Sequence, residues 1–146
     1  MKRITLKTVV PVSVYTCPYY QLSKAMNILI VDDDELVRDA LQMVLERNNY
    51  TTTVAGSAAQ GLNLFEIQTF DAVLTDLVMP NMDGVAFIKT LRDRSLTCPI
   101  ITLTGGARAG QNNMSQRALD AGANMNLQKP VTKNELLAAL ERLLKV

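Results

Sequence analysis

The stretch NILIVDDDEL, residues 27–36, joins a strand to a cluster of acids and decides how the remaining sequence is interpreted. Its first five residues, Asn27 to Val31, form an apolar run of the length and kind that favours a buried strand. Three aspartates and a glutamate follow directly. Because like charges crowded at one strand end repel each other, the stretch predicts a positively charged partner at that place.

The alternation of strand and helix continues along the chain. Apolar and β-branched runs predict further strands, and apolar residues at helical spacing predict the helices between them. In the first helix the predicted inward stripe consists of Leu36, Val37, Ala40, Leu41, Val44 and Leu45. The predicted strands cover residues 27–31, 50–55, 71–75, 100–103 and 124–128, and the predicted helices cover residues 35–48, Ser57 to about Ile67, 84–94, 113–121 and those after Thr132.

Five strand–helix repeats predict an α/β fold, a doubly wound parallel sheet with helices on both faces. In such sheets, ligands bind beyond the carboxyl ends of the strands. The residues at those ends are therefore the candidate site, and they bring carboxylates, a hydroxyl and an ammonium group into one crevice. They are Asp32 and Asp33 after the first strand, Asp76 after the third, Thr104 after the fourth and Lys129 after the fifth.

These groups suit phosphoryl transfer with a metal ion. At an effective dielectric constant of about 20, each pair of carboxylates at roughly 4 Å costs on the order of 4 kcal/mol. Mg²⁺ removes this repulsion because it prefers hard oxygen ligands, and Lys129 adds a further positive charge. A carboxylate in such a place can attack a phosphoryl group, so Asp76 is the candidate nucleophile. Thr104 can donate its hydroxyl to a phosphoryl oxygen.

Composition limits the classes of function. The 146 residues carry a net charge of +1, which does not indicate binding to nucleic acid, and no apolar run approaches the length that spans a bilayer. The sequence contains no histidine, which excludes a Ser-His-Asp triad, a His-bearing zinc site and a phosphohistidine within it. Any phosphate that arrives from a histidine is therefore supplied by another protein.

Residues 1–25 differ from the rest, because they carry two prolines and three tyrosines without a clear period. We expect them to form a poorly ordered extension. The domain is expected to cover residues 26–146, beginning at a second methionine, Met26.

The motifs LIVDD, D-x-x-M-P-x-M-D-G, a strand-end threonine and K-P occur in this order, each after a predicted strand. Together they resemble the receiver domain of two-component response regulators, over residues 27–145. The resemblance implies a flavodoxin-like (β/α)5 fold with strand order 2-1-3-4-5 and a cytoplasmic phosphoacceptor switch. Its partners would be a sensor histidine kinase or phosphotransfer protein and a downstream protein target. The resemblance implies that the protein catalyses only its own phosphorylation and dephosphorylation and is not otherwise an enzyme.

The resemblance also implies a role for each candidate residue. Asp76 matches the phosphoacceptor, Thr104 the switch hydroxyl and Lys129 the lysine that pairs with the phosphate. The Mg²⁺ ligands would be Asp32, Asp33, Asp76 and the backbone carbonyl of Val78, with Asp33 favoured over Asp32 as the direct ligand. The turn after Asp76 would be shaped by Pro80 and Gly84, and the Lys129–Pro130 bond is commonly cis in the family.

The sequence departs from the family pattern at three positions. Asn126 stands where the family usually has an aromatic residue that couples to the threonine. Val78 and Gly106 stand where polar side chains are common, and neither can orient an attacking water. We therefore predict slow self-dephosphorylation.

Several simpler interpretations stand beside these assignments. Asp34, Glu35 and Asp83 are expected to favour helix starts or turns rather than to bind metal. No basic recognition region is visible, so a stand-alone receiver is favoured, with a receiver fragment of a longer, for example DNA-binding, regulator as the alternative. A Mg²⁺-dependent phosphatase would need an acid at Val78. A flavin-binding module would need a phosphate loop without the acids of the first strand end.

Overall fold

The computed structural model describes residues 25–79, 83–105 and 111–144. The predicted extension lies outside the described residues except for Ala25. Pro80 and Gly106 also lie outside them.

Strands and helices alternate through the described residues. The strands are β1 Asn27–Val31, β2 Thr51–Ala55, β3 Ala72–Asp76, β4 Ile100–Thr104 and β5 Met125–Gln128. The helices are α1 Glu35–Glu46, α2 Ala58–Leu64, α3 Gly84–Asp93, α4 Gln111–Ala121 and α5 Lys133–Leu144. The strands pair in parallel in the order β2-β1-β3-β4-β5, which confirms the predicted doubly wound α/β sheet.

The sheet is covered on both faces, which explains why its central strands are continuously apolar. One face, with Leu29 and Val73, packs against α2, α3 and α4. The opposite face, with Ile30 and Leu74, packs against α1 and α5. The carboxyl ends of all five strands meet at one edge between these two layers.

Helix α1 buries less of its predicted stripe than its spacing indicated. Leu41 and Leu45 are buried and carry its packing against the sheet, but Leu36 is 80% exposed and Ala40 is exposed. The prediction that Leu36 and Ala40 face the core is therefore wrong. The helix begins beyond the end of β1, so Leu36, in its first turn, lies past the sheet edge.

Helices α1 and α2 end two to three residues earlier than predicted, and α3 ends one residue earlier, at Asp93. Helix α1 stops at Glu46 because Asn49 adopts a left-handed φ of 70°, after which the Tyr50 N–H returns to the Leu45 carbonyl at 3.1 Å. Helix α2 stops at Leu64. None of the helices in the described residues combines the length and the hydrophobicity of a membrane span.

Helices α1, α2, α3 and α5 begin with side-chain caps at the carboxyl edge of the sheet. Asp34 accepts a hydrogen bond from the Leu36 N–H at 3.0 Å, and Asp83 accepts one from the Ala86 N–H at 2.7 Å. Ser57 and Thr132 cap α2 and α5 in the same way. The predictions that Asp34 and Asp83 serve helix starts are confirmed.

Candidate functional site

The three predicted acids converge at the carboxyl edge of the sheet. Strands β1 and β3 are neighbours, so Asp32 and Asp33 at the end of β1 lie beside Asp76 at the end of β3. One carboxylate oxygen from each lies within 4.8 Å of the others. Asp32 and Asp76 are buried, and Asp33 is exposed.

Asp32 has no exposed surface and is held from several sides. Its Oδ1 accepts the Asp34 N–H at 2.9 Å, and its Oδ2 accepts a hydrogen bond from Lys129 Nζ at 2.9 Å. The Asp32 backbone carbonyl accepts a bond from Arg38 Nη1 at 2.7 Å, which ties α1 to the end of β1. Burial of a charge is costly unless the charge is paired and hydrogen-bonded, and the Asp34 N–H and Lys129 supply these partners to the Asp32 carboxylate.

Asp76 is 8% exposed and faces the same ammonium group. Its Oδ2 lies 3.3 Å from Lys129 Nζ, and its Oδ1 accepts the Val78 N–H at 3.2 Å. The loop after it leaves no room at Gly84, where a Cβ would lie 2.5 Å from the Asp76 carbonyl oxygen and 2.6 Å from Leu77 Cα. Only glycine fits there, because a Cβ closer than 3.0 Å would displace the backbone of Asp76 or Leu77.

Burial and charge act in opposite directions on Asp76. Burial raises the pKa of its carboxyl, and the charge of Asp32 adds to this, while Lys129 and the Val78 N–H lower it; the net shift is upward. For Lys129, burial lowers the pKa, but the Asp32 hydrogen bond and the charges of Asp76 and Asp32 outweigh it and raise the pKa overall. Lys129 is therefore an ammonium ion at neutral pH.

The residues present fit a divalent cation. When ionised, the three carboxylates carry a charge of −3, and Lys129 offsets one unit, so two negative charges stay unbalanced. Their oxygens are hard ligands of the type that Mg²⁺ prefers. The assignment of the Val78 carbonyl as a ligand stays a prediction.

Thr104 and Lys129 lie at the same carboxyl edge as the acids, at the ends of β4 and β5. Thr104 ends β4 and is 7% exposed, and its carbonyl accepts the Lys129 N–H at 2.6 Å. The Lys129–Pro130 peptide bond is cis, as the resemblance implied. The structure thus gathers Asp32, Asp33, Asp76 and Lys129 into one cluster, with Thr104 bonded to the Lys129 backbone; their individual roles stay predictions.

Two features of the site were not foreseen. Arg38 supports the end of β1 through a backbone carbonyl, and its distance of six residues from Asp32 follows no motif. Asn126, noted only as a departure from the family, bonds both Thr102 and Thr104. The one signal for the latter was the presence of polar residues in two adjacent, otherwise apolar strands.

An apolar cleft of about 570 Å³ opens directly beside Lys129. It runs between α1 and the segment after β5, and its walls include Leu36, Val37, Leu103, Pro130 and Val131. Most of its surface is hydrocarbon, so the charged cluster borders an apolar depression on this side.

Comparison with known proteins places this geometry in one family. The family model described as response regulator receiver domain matches residues 28–141. The response regulator MprA of Mycobacterium avium is 36% identical over 122 residues, which are 82% of this chain and 51% of that protein. A second MprA, from Mycobacterium sp. strain KMS, is 37% identical over the same shares. The chain spans about half the length of these curated relatives.

Solved structures show the same fold. A putative response regulator from Chloroflexus aurantiacus is 30% identical, with a TM-score of 0.78 over 84% of this chain and 100% of that one. The CheY-like receiver domain protein of Methanospirillum hungatei is also 30% identical, with a TM-score of 0.76 over 83% of this chain and 94% of that one.

Proposed function

This chain belongs to the response regulator receiver domains of two-component signalling, and from that premise we propose that Asp76 accepts a phosphoryl group from a phosphohistidine on a partner protein. One observation carries the proposal. The Asp76 carboxylate lies where two further acids and one ammonium group meet, within 4.8 Å of an oxygen of Asp32 and of Asp33 and 3.3 Å from Lys129 Nζ.

The transfer needs a nucleophile and charge neutralisation. An Asp76 carboxylate oxygen forms a bond to phosphorus while the bond from phosphorus to the donor's imidazole nitrogen breaks, and the electron pair stays with that nitrogen. The product is an acyl phosphate on Asp76. Lys129 neutralises charge on the phosphoryl oxygens, and the Thr104 hydroxyl donates to one of them. Mg²⁺ held by Asp32, Asp33 and Asp76 would supply further charge neutralisation when bound.

Two contacts of Asp76 favour the ionised form that this role requires, although the net shift of its pKa is upward. The attacking form is the carboxylate, and burial together with Asp32 favours the neutral acid. Lys129 and the Val78 N–H oppose that effect, so both serve to keep the nucleophile ionised.

The donor is expected to dock on the apolar cleft beside the site. The sequence supplies no histidine, so the phosphohistidine belongs to another chain. The cleft adjoins Lys129, and its rim includes Leu36, which is 80% exposed. A large apolar side chain exposed next to a reactive group favours contact with a partner protein, a sensor histidine kinase or a phosphotransfer protein.

The chain is proposed to act as a switch rather than as an enzyme on external substrates. An aspartyl-phosphate phosphatase needs an acid two residues after the nucleophile, and that position is Val78. A second candidate is a receiver unit within a longer regulator. It is favoured by the curated relatives, of which this chain covers 51%.

The test is direct phosphorylation. Protein is incubated with Mg²⁺ and acetyl phosphate and analysed by intact mass, with Asp76→Asn as the variant and Asp93→Asn, an exposed acid on α3, as the matched control. We expect one base-labile phosphoryl group on the wild type and the control and none on Asp76→Asn. Label that survives in Asp76→Asn would overturn the assignment, and sustained turnover of a phosphate ester would favour the enzyme.

A further inference from the structure

One face of the β4–β5 pair carries three neighbouring polar side chains that are buried or half-buried, those of Thr102, Thr104 and Asn126. Thr102 and Asn126 are register partners on neighbouring strands, and Thr104 lies two residues along β4, so its side chain emerges on the same face. Thr102 is fully buried, Thr104 is 7% exposed and Asn126 is half-buried. Buried hydroxyls need hydrogen-bond partners, so the contacts among these side chains decide what this face does.

The Asn126 side chain joins the two threonines. The Thr102 hydroxyl donates to Asn126 Oδ1 at 2.8 Å, and Asn126 Nδ2 donates to Thr104 Oγ1 at 3.4 Å. In this orientation the amide oxygen faces Thr102, which leaves the NH₂ group for Thr104. The Met125 carbonyl also lies near the Thr102 hydroxyl, but at 3.4 Å it is a weaker acceptor.

We infer that Asn126 is a positioning residue that makes Thr104 a hydrogen-bond donor toward the phosphoryl group on Asp76, an inference that rests on the proposed function. A hydroxyl has one hydrogen and two lone pairs. When Asn126 donates to a lone pair on the β5 side, the Thr104 hydrogen is left to point toward β3. Thr104 is placed for this, because the residue before it, Leu103, is the register partner of Asp76.

The length of the second bond sets the size of the effect. A distance of 3.4 Å is at the long end for such a bond, so Asn126 biases the Thr104 hydroxyl and still allows it to move toward a phosphoryl oxygen. Loss of the amide therefore slows phosphorylation without abolishing it. We expect a decrease of roughly threefold to tenfold, the range that one net hydrogen bond covers.

A double-mutant cycle tests the inference. The rate of labelling by phosphoramidate at saturating Mg²⁺ is measured for the wild type, Asn126→Ala, Thr104→Ala and the double variant. Asn126→Ala should slow labelling in the wild-type background and have no further effect when Thr104 is already alanine. An equal effect in both backgrounds would show that Asn126 acts on the fold in general and would overturn the inference.

Two further variants act at a distance from the phosphoryl group. Thr102→Val removes the bond that fixes the amide and should slow labelling, while Thr102→Ser should restore the wild-type rate. Gln128→Ala is the matched control, because Gln128 is an exposed polar residue on the same face of β5. A control that slows labelling as much as Asn126→Ala would contradict the assignment.

A spectroscopic measurement separates this inference from the proposed function. In the wild type, the two Nδ2 hydrogens of Asn126 should give well-separated NMR signals that exchange slowly with water, and Thr102→Val should bring both toward free-amide values. If the wild type takes no label, the proposed function fails, and the amide spectrum still decides whether Thr102 holds Asn126. Unchanged amide signals in Thr102→Val would overturn the inference alone.

Discussion

The ammonium group of Lys129 donates a 2.9 Å hydrogen bond to Oδ2 of Asp32, a carboxylate with no exposed surface. The two residues are 97 positions apart and lie at the ends of β5 and β1, so the bond crosses the carboxyl edge over β3 and β4. Lys129 also lies 3.3 Å from Asp76 Oδ2. One cation is thus shared between a fully buried acid and the proposed phosphoacceptor.

Replacing Lys129 with methionine should destabilise the metal-free protein by about 3 kcal/mol, because buried Asp32 loses its charge partner. The pKa of Lys129 is raised in the fold, so this stabilisation is complete below the ordinary lysine pKa of about 10.4 and disappears as pH rises through the folded value. Urea unfolding of Lys129→Met and of Lys133→Met, an exposed lysine, measures it. Equal stabilities of the two variants would contradict the bridge.

Replacing Asp76 with asparagine should stabilise the metal-free protein. The pKa of Asp76 is raised above 3.8 chiefly by burial, so its stabilising protonated form is lost as pH rises through the folded value. The advantage of Asp76→Asn should therefore grow from pH 4 to pH 7. We expect a gain in Tm on the order of 2–4 °C at neutral pH, measured in EDTA. A variant that melts below the wild type there would contradict the upward pKa shift.

Replacing Asp33 with asparagine should weaken Mg²⁺ binding by at least about tenfold, because a carboxylate ligand becomes a neutral amide. Asp34→Asn is a closely matched control, since Asp34 caps α1 and asparagine caps equally well. Calorimetric titration should show Mg²⁺ affinity within about twofold of the wild type for Asp34→Asn. Loss of affinity in both variants would indicate a diffuse acidic patch instead of a defined site.

Replacing Val78 with asparagine should shorten the lifetime of the phosphorylated protein by about threefold or more, because an amide can orient an attacking water. Val78 is 59% exposed, so a polar side chain costs little there. The measurement is the decay of phosphorylated protein after removal of the donor, with Val78→Ala as control. Decay of the wild type as fast as that of Val78→Asn would refute the prediction of slow self-dephosphorylation.

Replacing Arg92 with lysine should reduce stability without slowing phosphorylation. The Arg92 guanidinium donates to the carbonyls of Leu96, Cys98 and Gly122 at 2.7 to 3.1 Å and to Asn124 Oδ1 at 3.0 Å. Lysine cannot reproduce this fork, and we expect a loss of about 2 kcal/mol. Arg94→Lys, an exposed residue 3.8 Å from Glu66, is the control and should unfold like the wild type.

The sequence predicted the fold and the candidate site best where the role of a residue depends only on its neighbours in the sequence. The apolar run of β1, the caps Asp34 and Asp83, and the acids and lysine at strand ends follow from local pattern, and all were predicted in place. The exposure of Leu36 was not predicted, because helical periodicity does not show where the sheet ends. The bond between Thr102 and Asn126 and the contacts of Arg92 depend on strand register and on loops, which local pattern does not specify.

At Gly84, the start of α3 packs closely against the backbone of Asp76. Its N–H is bonded to the Leu77 carbonyl at 2.9 Å, and its Cα stands so close that even a methyl group would strike the Asp76 carbonyl. A shift of that carbonyl toward Gly84 would therefore press on the start of the helix. The first turn of α3 is therefore placed to respond when the backbone of Asp76, the residue that would carry the phosphate, moves.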